Sequence, residues 1–164
     1  MKIKIAFFKG KGDNPFYWLL NTAIRIWTLG KYSHCEIYVS EEDKAGLFTT
    51  TTYIASGIKY RGVVKLKNKV YLSKDWDLMT VKDGGKAKEI KAFLDSKVGS
   101  KYDWLGIFFS QFFRTEIHSP DRWFCSEYCA AALKRSGVLN TTKPAQSVHP
   151  NRMKKILKNA GLLS

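Results

Sequence analysis

Nowhere in the 164 residues is there an apolar run of 18, the least a helix needs to cross a bilayer, so a membrane-spanning helix is excluded. The longest apolar candidate, Trp104 to Phe113, has only the length of a core helix. Acidic residues are scarce: 14 against 28 basic ones, for a net charge of +14. Such an excess bears on partners and not on fold, and it favours phosphate, anionic lipid or acidic cell-wall polymer. Cysteines are few and odd in number, Cys35, Cys125 and Cys129, which argues against a disulfide framework and for reduced thiols. No Walker loop, no paired Gly-x-Gly-x-x-Gly and no Gly-x-Ser-x-Gly elbow occurs. Internal repeats, low-complexity segments and shifts of composition are also missing, so one domain over residues 1–164 is expected. The start, MKIKIAFFKGKGD, has too short an apolar run (Ile5–Phe8) for a signal peptide. A cytoplasmic location is therefore the default expectation, with delivery by another route left open.

What the chain does have is enough apolar surface for a core, 45% hydrophobic and 14% aromatic residues, which excludes wholesale disorder. Lys2 to Phe8 alternates before its apolar run and reads as a strand. After the GKGDN loop, Pro15 opens a helix (PFYWLLNTAIRIWTL) whose widely spread apolar positions predict half-burial and which Gly30 should end. Ser33–Ser40, Leu47–Ile54, Gly57–Leu66, Lys69–Leu72 and Trp76–Val81 read as strands, with a turn at EEDKAG. Helical spacing returns at Lys86–Lys97, Tyr102–Phe113, Phe124–Arg135 and Asn151–Asn159. Strands in the first half and helices in the second predict an α+β fold, an antiparallel sheet or small barrel packed against helices.

Two segments carry chemistry. In SHCEIYV the side chains alternate, so His34, Glu36 and Tyr38 share one strand face while Cys35, Ile37 and Val39 share the other. A carboxylate two residues from a histidine on one face is placed to fix its tautomer and steady its imidazolium. Cys125 lies at the start of a helix, where the partial positive charge lowers a thiol pKa and free backbone N–H groups can hold an oxyanion, that of Ser126 among them. Cys129, one turn on among alanines, is expected on the packing side. A zinc site from His34, Cys35, Cys125 and Cys129 is disfavoured because His34 and Cys35 face opposite ways and the cysteine spacing is not that of a zinc knuckle. Neither a metal nor another cofactor is called for. His118 and His149 lie near prolines in loops, where surface roles suffice. The lysines and arginines are scattered singly, so nucleic-acid binding would rest on charge alone and is not expected.

The two segments together resemble a known family. GKYSHCEIYV, following a helix that begins after GDNP, is similar to the histidine motif of the circularly permuted NlpC-type papain-like hydrolases, in particular the YiiX/YebB-like group. GSKYDWLGIFF and then DRWFCSEYCAAAL resemble that group's Tyr-Asp-x-x-Gly and Cys-Ser-Glu motifs, in the same order, and KPAQSVHPNRMKKIL its terminal proline-containing loop and helix. The likeness spans roughly Lys4 to Leu157. It implies a permuted papain-like fold, in which the nucleophile follows its histidine in sequence yet meets it in space. It further implies Cys125 as nucleophile, His34 as base, Tyr102 as a residue lining the cleft, and acyl transfer from a peptide, another amide or a lipid ester through an acyl-thioester. Partners on this reading are such substrates and an anionic membrane or cell-wall surface. The chain departs from the group in one respect: the strand after the histidine strand, LFTTTTYI, lacks the group's orienting acid. A threonine hydroxyl of that strand and Glu36 are the two substitutes.

Overall fold

The alternation at the start of the chain does produce a strand, β1 (Lys2–Phe8), with Ile3, Ile5 and Phe7 fully buried. The structure, a computed structural model, describes residues 1–12, 15–57, 59–103 and 121–164. After β1 come α1 (Pro15–Thr28), β2 (His34–Glu42), β3 (Phe48–Ser56), β4 (Gly62–Lys67) and β5 (Trp76–Val81). Next are α2 (Ala87–Ser96), β6 (Lys101–Tyr102), β7 (Arg122–Trp123), α3 (Cys125–Arg135) and α4 (Pro150–Asn159), with a 3-10 turn at Ala145–Ser147 before α4. The fold is α+β. Its seven strands form an open sheet rather than a barrel, in the order β5-β1-β2-β3-β4-β6-β7. Every neighbouring pair is antiparallel except β6 and β7.

The register sorts the two faces. Ile3, Ile5 and Phe7 pair with Val39, Ile37 and Cys35, and this row carries on through Tyr53 and Val63. Against it pack Ile90 and Leu94 of α2, Tyr128, Cys129 and Leu133 of α3, and Met153 and Leu157 of α4, all fully buried. Burying each such side chain is worth about 1.5–3 kcal/mol, which makes this face the core. In α3 every residue from Cys125 to Leu133 is buried. Its small residues, Cys129 and Ala130 to Ala132, let the helix axis lie close to β2. The alternate face of the sheet carries Phe8, His34 and Trp76 in one paired row. Phe8 and Trp76 touch with ring centroids 4.9 Å apart, and Tyr71 meets Trp76 at 5.0 Å.

α1 is half-buried, as expected: Tyr17, Leu20, Ile24 and Arg25 are partly covered and no residue of it is fully buried. Several other sequence expectations change. α1 ends on Leu29, which takes the left-handed conformation (φ 48°), and not on Gly30. Gly30 serves a close approach instead, since a Cβ there would stand 2.2 Å from Asn151 Cγ. The β2–β3 turn starts at Asp43, whose carboxylate accepts from the N–H groups of Ala45 and Leu47. Lys69–Leu72 forms no strand; Lys69 and Tyr71 turn their polar ends to a buried carboxylate instead. Tyr102 belongs to β6, and the remainder of the helix expected over Tyr102–Phe113 lies outside the described residues. The short strand Arg122–Trp123 gave no periodic signal.

Asn151 ties α4 to the turn before β2. Its amide nitrogen donates to Tyr32 O and Thr28 Oγ1, both at 2.8 Å, and its oxygen accepts from Tyr32 N at 2.9 Å. Asn151→Ala strands these partners, so urea denaturation should show a loss of about 2–3 kcal/mol, a net hydrogen bond being worth about 1 kcal/mol and a stranded buried group more.

Candidate active site

β2 begins at His34 and α3 begins at Cys125, and the two starts meet at one end of the sheet. The His34 imidazole and the Cys125 thiol line one cavity and shift each other's proton affinity. Two residues along the same strand face, Glu36 Oε1 stands 3.2 Å from His34 Nε2. With Nε2 engaged by the carboxylate, Nδ1 is the ring nitrogen left for the thiol. Of the two substitutes for the missing acid, the geometry favours Glu36: Thr52 Oγ1 is taken up by the Tyr71 hydroxyl at 3.0 Å.

Glu36 is 3% exposed, a position where a lone carboxylate would take up a proton. Lys69 Nζ prevents that by donating to both of its oxygens, at 2.7 and 2.6 Å. The Tyr71 hydroxyl donates to Oε2 at 2.8 Å. Burial pushes the Glu36 carboxyl up, but the bonds and charges of His34 and Lys69 more than offset it, so the group stays below its usual range. Lys69 is itself held over the Trp76 and Tyr71 rings, 4.7 and 5.0 Å from their centroids.

Burial alone would lower His34, yet the charge on Cys125, the hydrogen bond to it and the carboxylate of Glu36 push the imidazole up to about 10. Cys125 moves the opposite way. A hydrogen bond from the Cys35 thiol, opposed by burial and joined by the His34 imidazolium and the Cys35 backbone, holds it well below the ordinary thiol range. Cys35, deeply buried and donating to Cys129 Sγ at 3.9 Å, is pushed up by burial first of all. Both shifts favour a thiolate–imidazolium pair over the neutral pair. Burial also raises Glu127, in the first turn of α3, to about 8.

Phe124, extended at φ −106° and ψ 167°, precedes α3, whose first helical bond runs from Tyr128 N–H to Phe124 O. The N–H groups of Cys125 and Ser126 therefore have no partner within the helix. The Ser126 hydroxyl is buried with no hydrogen-bond partner among the described residues. These groups open into a cavity of about 750 Å³, within the range of small-molecule sites. Trp76, Tyr102 and His149 line it with the triad, and α1 and the 59–72 segment supply its outer walls.

All the residues singled out from the sequence, Cys125, His34, Glu36, Ser126 and Tyr102, line this one cavity. Cys129 lies on the core side, as expected. His149 departs from its expected surface role: it caps α4, its Nδ1 accepting from Arg152 N–H at 3.3 Å, and burial lowers its pKa. His118 lies outside the described residues. Lys69, Tyr71 and Trp76 escaped the sequence reading, since nothing in KNKVYLSKDW marks a pairing with a glutamate more than thirty residues earlier. Among the described residues no group of three or more histidine, cysteine, aspartate or glutamate side chains is arranged to hold a metal ion. No family model matches the chain, and no curated protein matches it.

Two outcomes follow for the thiol. A depressed pKa means that thiolate is already present at neutral pH, so alkylation of Cys125 by iodoacetamide should be flat from about pH 6 to 9. In His34→Ala the acid limb of the profile should instead move up in pH, since the imidazolium's share of the depression is lost while that of Cys35 remains. Removing the cation beside Glu36, in Lys69→Met, lets that carboxyl protonate at higher pH. The acid limb of the wild-type alkylation profile should then move upward; an unmoved limb would show that Lys69 does not hold Glu36 ionised.

Proposed function

We propose that this protein is a cysteine hydrolase of the circularly permuted NlpC-type papain-like class, close to its YiiX/YebB-like group, which cleaves an amide or ester bond through an acyl-thioester. The observation that carries the reading is the set Glu36, His34 and Cys125, an acid bonded to a base and a depressed thiol coupled to that base, lining one ligand-sized cavity. Its histidine precedes its cysteine, and the motif order of the family accounts for that.

The Cys125 thiolate attacks the acyl carbonyl carbon and the carbonyl π electrons move to oxygen. That oxyanion is held by the unpaired N–H groups of Cys125 and Ser126 at the N-terminus of α3, where the helix dipole favours negative charge. The oxyanion collapses, the C–N or C–O bond breaks, and His34 gives its proton to the departing amine or alkoxide. An acyl-thioester on Cys125 and a neutral imidazole remain. His34 then takes a proton from water as its oxygen attacks the thioester. Collapse of the second tetrahedral species expels the thiolate and releases the acid, restoring the ion pair. Glu36 touches no substrate; it positions the ring and stabilises the imidazolium.

Incubation with a p-nitrophenyl ester of a short acyl chain tests this directly. Mass spectrometry should find the acyl group on Cys125, and Cys125→Ala should lose at least about 10³-fold of the hydrolysis rate. Glu36→Gln should lower kcat by about tenfold or more with a smaller change in KM, as expected of a positioning group. Acylation of Cys35 or Cys129 in preference to Cys125, or hydrolysis undiminished in Cys125→Ala, would overturn the proposal.

A further inference from the structure

Helix α1 fully buries none of its 14 residues, although its apolar face is wide, with the polar residues Asn21, Thr22, Arg25 and Thr28 confined to one side. Phe16, Leu19, Ile26 and Trp27 fall on one stripe of it and are 63, 60, 69 and 51% exposed. The adjoining stripe, with Tyr17, Leu20 and Ile24, lines the cavity that holds Cys125. Trp27 belongs to both stripes. On another rim of the same cavity stand Val70 and Leu72, 80 and 56% exposed. The cavity mouth is thus edged by apolar side chains that face water, a contiguous feature and not a scatter of single residues.

Charge identifies what the mouth faces. No acidic residue occurs between Pro15 and Cys35, a stretch that carries Arg25 and Lys31. On the other rim the exposed cations are Lys59, Arg61 and Lys74, with Asp75 beside them; Lys69 is taken by Glu36, and Lys65 by Asp95 on the opposite face of the sheet. A protein-binding surface of this apolarity would be poor in lysine at its centre. Exposed aromatic and aliphatic side chains interspersed with flexible cations match instead the headgroup zone of an anionic bilayer, where the rings sit at the interface and lysines reach phosphate. Among the described residues no helix is long and apolar enough to cross a membrane, so the contact would be interfacial.

We propose that α1 and the 59–74 segment form a docking surface for an anionic lipid bilayer. α1 lies in the headgroup plane with Phe16, Leu19 and Ile26 inserted, Lys59, Arg61 and Lys74 of the other rim meet lipid phosphate, and the cavity opens toward the membrane.

Sedimentation with phosphatidylcholine vesicles, with and without phosphatidylglycerol, tests the surface. The protein should bind the phosphatidylglycerol vesicles and not the neutral ones. Binding should fall at least about tenfold on raising salt to about 1 M, where the Debye length is about 3 Å. Phe16→Glu, Leu19→Glu and Ile26→Glu together should weaken it by about tenfold or more while Cys125 alkylates at the wild-type rate, which shows an intact fold. Leu47→Glu with Phe48→Glu, equally apolar and exposed in the β2–β3 turn, should leave binding unchanged. Cys125→Ala should bind as the wild type does, so failure of the hydrolase reading and failure of this one are told apart. Three results would each overturn the proposal: no phosphatidylglycerol-dependent binding, full binding by the triple variant, or a wild-type dimer that the triple variant dissolves while neither binds vesicles.

Discussion

Glu36 holds a negative charge at 3% exposure, and the groups around it exist in their observed states because of that charge. Lys69 bonds both of its oxygens and Tyr71 one of them; without such partners a carboxyl this deep would be neutral. The charge on Cys125 and, after it, the ionised Glu36 raise His34, and the cation in turn stabilises the thiolate of Cys125. Lys69 holds the acid, the acid supports the base, and the base and the nucleophile stabilise each other's charge.

The sheet brings this chain of charges into being because its two faces do different work. One face is covered by α2, α3 and α4 and is dry. The other begins at Phe8, His34 and Trp76 and is the floor of the cavity. His34 and Cys35, adjacent in sequence, reach opposite faces, so one contributes the base and the other a buried thiol donor. α3 straddles the boundary. Its alanines pack into the core while its first residue, at the end of the sheet, stands 7% exposed in the cavity. A larger residue at Ala130 or Ala132 would lift the helix and take the thiol away from the ring, which ties packing on one face to chemistry on the other.

Much of this was legible in the sequence, for identifiable reasons. Period-two alternation in KIKIAFF and SHCEIYV specified β1 and β2, and with them the shared face of His34 and Glu36. The small-residue run after Cys125 specified α3 and its burial. Lys69 and Tyr71 were not legible: their role depends on an irregular segment returning over β2, and irregular backbone has no period to read. His149 was misjudged because a loop next to Pro150 was taken for surface, whereas its ring caps α4 against the cavity. The half-burial of α1 followed from its widely spread apolar positions, and its exposed apolar stripe faces outward beside the site.

The central claim is that His34 is an imidazolium at neutral pH because Cys125 is a thiolate. Long-range proton–nitrogen NMR of the His34 ring, followed as a function of pH, reads that state directly. The account predicts that both ring nitrogens stay protonated until the ring titrates near pH 10, and that the midpoint falls by several units when Cys125 is replaced by alanine, since Glu36 alone then supports the cation. A ring that titrates near its ordinary value of about 6.5 in the intact protein, unmoved by the loss of the thiol, would contradict it.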